Sequence, residues 1–178
     1  MITGFEYAQK AIQIATAKNI SYKEHDCQDW VEYIMRLLGI KNDNGTPFNW
    51  RGTNDMWRNA LLWKGTKGEC VERFGEIPTG AWLFKHRSDG GEKERGYNDN
   101  EGNAYHVGIY LGRLRPNTVL DSSEGGVAFR DSGKFNMVGL PYMIDYETIP
   151  TSYEPMETEP PEEVLKALET LTNYIKGV

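Results

Sequence analysis

The chain has 178 residues, enough for one ordinary domain with a small appendage but not for two full domains. Hydrophobic residues at 39% and aromatic residues at 12% supply a core and exclude a disordered tail, while a formal charge of −6 speaks against a general nucleic-acid binder, which needs a basic face. No apolar stretch approaches the roughly 20 residues of a membrane span, so no membrane partner is expected. The opening Met1-Ile2-Thr3-Gly4-Phe5-Glu6 lacks the basic start and apolar run of a secretory signal, which implies synthesis in the cytoplasm and retention there unless something else releases the protein.

Residues 4 to 18 carry Phe5, Ala8, Ile12 and Ala15 at three- and four-residue spacing, the pattern of an amphipathic helix. A second helix is expected after Asp26, a good N-cap, with Trp30, Val31, Ile34, Leu37 and Leu38 as its apolar stripe and Gly39 as its stop. Cys27 precedes Trp30 by three residues and Val31 by four, which puts its thiol in the first turn on the core-facing side. Residues 42 to 70 are rich in Asn, Gly and Trp, and 54 to 62 read as a short helix there. Trp50, Trp57 and Trp63 fit core and groove wall better than a cofactor box.

Residues 80 to 85 read as a strand, and the glycine-rich, charged stretch from His86 to Asn103 as a long exposed loop. Next, Tyr105, Val107, Ile109 and Leu111 alternate with His106, Gly108 and Tyr110, so one strand face is apolar and the other shows a histidine beside a glycine that leaves space. A turn-like Gly112–Asn117 leads to Thr118-Val119-Leu120-Asp121-Ser122-Ser123, and the two strands should form an antiparallel hairpin. Register decides the chemistry, because a one-residue slip reverses every side chain. With Leu120 on the face of Val107 and Ile109, Asp121 and Ser123 share the opposite face with His106. Residues 135 to 146 should close the sheet, with a bend or edge at Gly139 and Pro141. Residues 149–161 read as a Pro-rich acidic linker, and 162–178 hold a C-terminal amphipathic helix with Val164, Ala167, Leu168, Leu171, Tyr174 and Ile175 on one side. That helix could pack back on the domain, associate with another copy or lead into a wall-binding module.

A cysteine in the first turn of a helix meets unpaired N–H groups and the positive end of the dipole, both of which favour thiolate. A histidine on the neighbouring strand could take the proton, and a carboxylate could hold the imidazole in the right tautomer. Cys27, His106 and Asp121 are therefore the candidate catalytic residues. Asp26 and Asp29 oppose this by raising the thiol pKa unless capping engages them. A lone core-facing cysteine is more often a small hydrophobe; the added histidine and aspartate shift the balance toward catalysis. His25 and His86 read as surface residues. Cys70, lacking a cap and a nearby strand histidine, reads as a structural or surface thiol. Two cysteines cannot build a zinc knuckle or a disulfide framework, and neither metal nor cofactor is expected.

At these residues the sequence resembles the NlpC family of papain-like cysteine peptidases, which cut the peptide stems of bacterial peptidoglycan. The resemblance is carried by Asp26-Cys27-Gln28-Asp29-Trp30-Val31, by 77–84 ending in Gly80-Ala81-Trp82-Leu83-Phe84, by Asn103-Ala104-Tyr105-His106-Val107-Gly108-Ile109-Tyr110, and by Val119-Leu120-Asp121-Ser122-Ser123, in family order over residues 22 to about 146. Gly52-Thr53-Asn54-Asp55-Met56-Trp57 and the lack of a signal resemble phage and prophage members. The chain departs from the family in having Gln28-Asp29 where Ser-Gly is usual after the cysteine, in lacking a glycine pair after Tyr22, and in placing Asp121 where His, Asn or Gln is common.

The resemblance implies an α+β, papain-like fold: N-terminal helices, with the nucleophile at a helix start, packed on an antiparallel sheet spanning residues 1–148. It implies a cell-wall hydrolase that cleaves the bond between D-glutamate and the diamino acid with a Cys-His-Asp triad and acts on the wall after phage-type release or in a virion. Tyr22, Asp26, Asp55 and Ser122 are implied substrate contacts. Two other readings stay open: an amidase that cuts the sugar-peptide linkage, and a catalytically silent peptidoglycan-binding or phage structural module.

Overall fold

A computed structural model describes residues 1–88 and 96–146. The expected linker at 149–161 and helix at 162–178 lie outside the described residues. Helix α1 (Gly4–Ala17) starts at a Thr3–Glu6 capping box, in which each side chain satisfies the other residue's backbone N–H. Its buried stripe is Gly4, Tyr7, Ala8 and Ala11, whereas Phe5 is 48% exposed, so the helix is rotated from the face that its spacing suggested. Tyr7 is the reason: its hydroxyl donates to Val31 O and accepts from Trp82 Nε1, which lets a polar aromatic occupy the core. Helix α2 (Cys27–Leu37) buries Cys27, Trp30, Val31, Glu32, Ile34 and Met35, and Gly39 turns the chain with φ of 69°. Helix α3 (Thr53–Asn59) follows, and strand β1 (Leu61–Thr66) leads directly into helix α4 (Lys67–Phe74).

The remaining strands are β2 (Trp82–Arg87), β3 (Asn103–Tyr110), β4 (Thr118–Ser123), β5 (Gly126–Asp131) and β6 (Met137–Pro141). Together with β1 they form a six-stranded antiparallel sheet in the order β1-β6-β2-β3-β4-β5. Trp82, Phe84, Val107, Ile109 and Leu120 share one apolar cluster with α1 and α2. Leu83, Val119, Val138 and Leu140 form a second cluster, joined by Cys70 of α4 and by Phe135.

The expected papain-like arrangement is corrected by this topology. Four helices and a six-stranded open sheet are found among the described residues, and the helices do not all precede the sheet, since β1 comes before α4 in the chain. The interleaving has a local cause. Thr66 ends β1 and also caps α4, accepting from the Glu69 N–H while the Glu69 carboxylate accepts from the Thr66 N–H. This capping box escaped the reading of Cys70 as uncapped; Cys70 is fully buried within α4. No helix among the described residues is long and apolar enough to cross a membrane.

Candidate active site

Cross-strand pairs in the sheet share a face. Gly108 pairs with Asp121 and Ile109 with Leu120, which is the register that the hydrophobic pattern required. His106 lies two residues from Gly108 and so shares its face with Asp121. The imidazole Nε2 and Asp121 Oδ2 are 2.5 Å apart. Gly108 makes this contact feasible, because a Cβ there would sit 2.9 Å from Asp121 Cβ and 2.7 Å from Val119 Cγ2. With Nε2 bound to the carboxylate, a neutral imidazole keeps Nδ1 as its basic nitrogen.

The cysteine arrives from the other side of the sheet. Cys27 belongs to the cluster that packs α2 against Val107 and Ile109, whereas His106 pairs with Lys85 on the face of Leu83 and Val119 and lies 5.7 Å, ring to ring, from Phe135 of the second cluster. The two sides meet where the sheet forks. Pairing between β3 and β4 ends at Gly108 and Asp121; beyond it β3 continues along β2, and β4 along β5. The first turn of α2 stands at this fork. From the β4 side, Ser122 Oγ donates to His25 O at 2.5 Å; from the β3 side, the N–H of Val107, the residue next to His106, faces the Cys27 sulfur.

Asp26 caps α2 as expected, accepting from the Asp29 N–H at 2.9 Å. Asp29 is taken up by His25 Nδ1 at 2.5 Å and by Arg36 Nη2 at 2.6 Å. Even so, the thiol is not acidified. Burial, with only 8% of the residue exposed, pushes Cys27 up to about 11; the Val107 and Gln28 N–H groups pull the other way, and the charges of Asp26 and Asp121 add to the rise. Against the helix end, which favours thiolate, stands desolvation, the largest cause of the upward shift.

Tyr22 sits beside this group. Its hydroxyl is shifted upward by burial first and then by the charges of Cys27, Asp26 and Glu124. The other two implied substrate contacts are engaged in hydrogen bonds within the protein. Ser122 is fully buried and spends its hydroxyl on His25 O. Asp55 is 8% exposed and accepts from the Arg51 N–H at 2.9 Å and from Asn59 Nδ2 at 2.6 Å, which commits it to the start of α3.

Arg130 is the site residue that the sequence reading did not reach. Its Nε lies 2.6 Å from Asp121 Oδ1, an ion pair whose N–H is not aligned for a hydrogen bond. The signal was present in the chain: Glu124-Gly125 is a two-residue hairpin loop, and Val127 and Phe129 alternate with Ala128 and Arg130 after it. Phe135 carried no comparable signal. Among the described residues, no group of three His, Cys, Asp or Glu side chains could hold a metal ion. Compared with models of known protein families the chain matches none, and no curated protein matches it.

Proposed function

We propose that the chain is a cysteine peptidase of the NlpC kind, acting on the peptide stems of bacterial peptidoglycan at the bond between D-glutamate and the diamino acid. The observation that carries the reading is the convergence at the sheet fork: His106 Nε2 is held by Asp121 at 2.5 Å, and the Cys27 sulfur lies against the N–H of the residue that follows His106. His106 acts as general base during attack. The thiol proton passes to Nδ1 as the sulfur bonds to the scissile carbonyl carbon. Backbone N–H groups at the start of α2, including that of Cys27, receive the oxyanion. His106 then returns the proton to the departing amine, and water releases the acyl group from sulfur by the same steps. Asp121 holds the imidazole in the tautomer that leaves Nδ1 free and balances the imidazolium while it exists. Release by phage-type lysis or carriage in a virion would bring this acidic protein to the wall.

A second reading has its own support in the buried thiol pushed up to about 11: a silent module that binds peptidoglycan or builds a phage structure. Purified peptidoglycan incubated with wild type and with Cys27→Ala separates the two. Loss of turbidity with wild type alone is expected; equal loss with both would end the cysteine mechanism. Fragment masses then identify the bond, since whole stem peptides freed from muramic acid would mean an amidase instead of an endopeptidase.

A further inference from the structure

Asp121 is fully buried, and both of its oxygens face partners. Oδ2 meets His106 Nε2 at 2.5 Å, and Oδ1 meets Arg130 Nε at 2.6 Å. The guanidinium is itself held, since Arg130 Nη2 donates at 3.1 Å to the carbonyl of Gly126, the first residue of the same strand β5. We propose that Arg130 is a positioning residue for the His106–Asp121 pair: its permanent charge balances the buried carboxylate, so that a proton taken up by His106 is held less tightly than it would be without the arginine. This inference rests on the reading of His106 as the general base.

The argument concerns the charge of the pair. A buried carboxylate whose only partner is an imidazole forms a unit with one negative charge, and that unit takes up a proton readily, whichever atom carries it. A fixed positive charge on the far oxygen makes the unit neutral and lowers its appetite for the proton. Arginine suits this role because it stays charged throughout the working pH range. The other groups around the imidazole are accounted for. From β2, Lys85 is its cross-strand neighbour, with Nζ lying over the Phe135 ring at 5.1 Å. From α2 comes Cys27, and Phe135 covers the ring with an uncharged face. Arg130 is thus the cation that contacts Asp121 itself.

The test is a nuclear magnetic resonance titration of the His106 ring in the Cys27→Ala protein, alone and combined with Arg130→Met or Arg130→Lys. The expected result is a midpoint at least about one pH unit higher with Arg130→Met, a tenfold change in proton affinity, and a midpoint within a few tenths of a unit of the parent with Arg130→Lys. Equal midpoints for the parent and Arg130→Met would overturn the inference, as would a lysine variant that behaves like methionine, because charge would then not be what matters. Should Arg130→Met fail to fold, Arg130→Gln, which retains a donor for Gly126 O, carries the same test. The titration needs no turnover, so a wild-type protein that hydrolyses no wall peptide would strike the peptidase reading alone.

Discussion

At the scale of single residues, the chemistry turns on a contest at Cys27 between a helix start and burial. Helix N-termini favour thiolate, but they do so best where the sulfur is also solvated or faces a cation. Cys27 instead packs into the α2 cluster with Asp26 and Asp121 nearby, and burial wins, leaving the thiol at about 11. A pH dependence follows. Thiolate is the form that reacts with iodoacetamide, so alkylation of Cys27 is expected to be slow at pH 7 and to quicken about tenfold per unit up to pH 10. Cys70, fully buried and pushed up to about 12, should lag behind it throughout. Rate constants for each cysteine, measured by mass spectrometry from pH 6 to 10.5, check this. A plateau below pH 8 would mean a preformed thiolate, and faster reaction at Cys70 would misplace the nucleophile.

At the scale of elements, the fork between β3 and β4 does the positioning. An unbroken pairing would leave Cys27 and His106 on opposite faces of the sheet, with the backbone between them. The two strands part below Gly108 and Asp121, and Ser122 fastens the chain entering α2 to β4 through His25 O at 2.5 Å. Removing that hydroxyl leaves a carbonyl without its donor, a cost of about 1–2 kcal/mol. Ser122→Ala is therefore expected to lower the urea midpoint accordingly and to reduce wall hydrolysis by more than the unfolded fraction explains, because α2 loses its hold at the fork. Unchanged hydrolysis in a correctly folded variant would show that the clamp does not position the thiol. Alternation along β3 and β4 made both strands and their register legible from the residues. The fork was not, since it depends on where pairing stops. Strand β1 and helix α4 were also missed: β1 half-buries Leu61, Trp63 and Gly65 on one face but exposes an apolar Leu62 on the other, and α4 buries Cys70 alone, so neither carries a strong period.

At the scale of the whole molecule, the two apolar clusters on either side of the sheet each enclose a thiol, Cys27 in one and Cys70 in the other. Both are raised above their ordinary value of 9.0, to about 11 and about 12. The folded state therefore holds these protons more tightly than the unfolded chain does, and the stability this provides is complete below pH 9 and declines as pH rises toward 11 and 12. The buried Tyr7 and Tyr146 hydroxyls are raised by desolvation as well and add in the same direction above pH 10. Urea unfolding at pH 8 and at pH 10.5 should show a clear loss at the higher pH, about 1.4 kcal/mol per unit for each thiol past pH 9. Equal stability at the two values would mean that the thiols are solvated in the folded protein.

The residues alone determined where α2 begins, that His106 and Asp121 share a face, and that a glycine between them leaves room, because capping and period-two alternation are local rules written in neighbouring side chains. They did not show how far the sulfur is buried, since desolvation depends on what packs around an atom and no local pattern records that. Only the tertiary structure decided the open six-stranded topology with α4 inside it, the point at which pairing of β3 with β4 stops, and the placing of Arg130 against Asp121. Each of these depends on which strand lies beside which, and that is settled by packing across the whole domain.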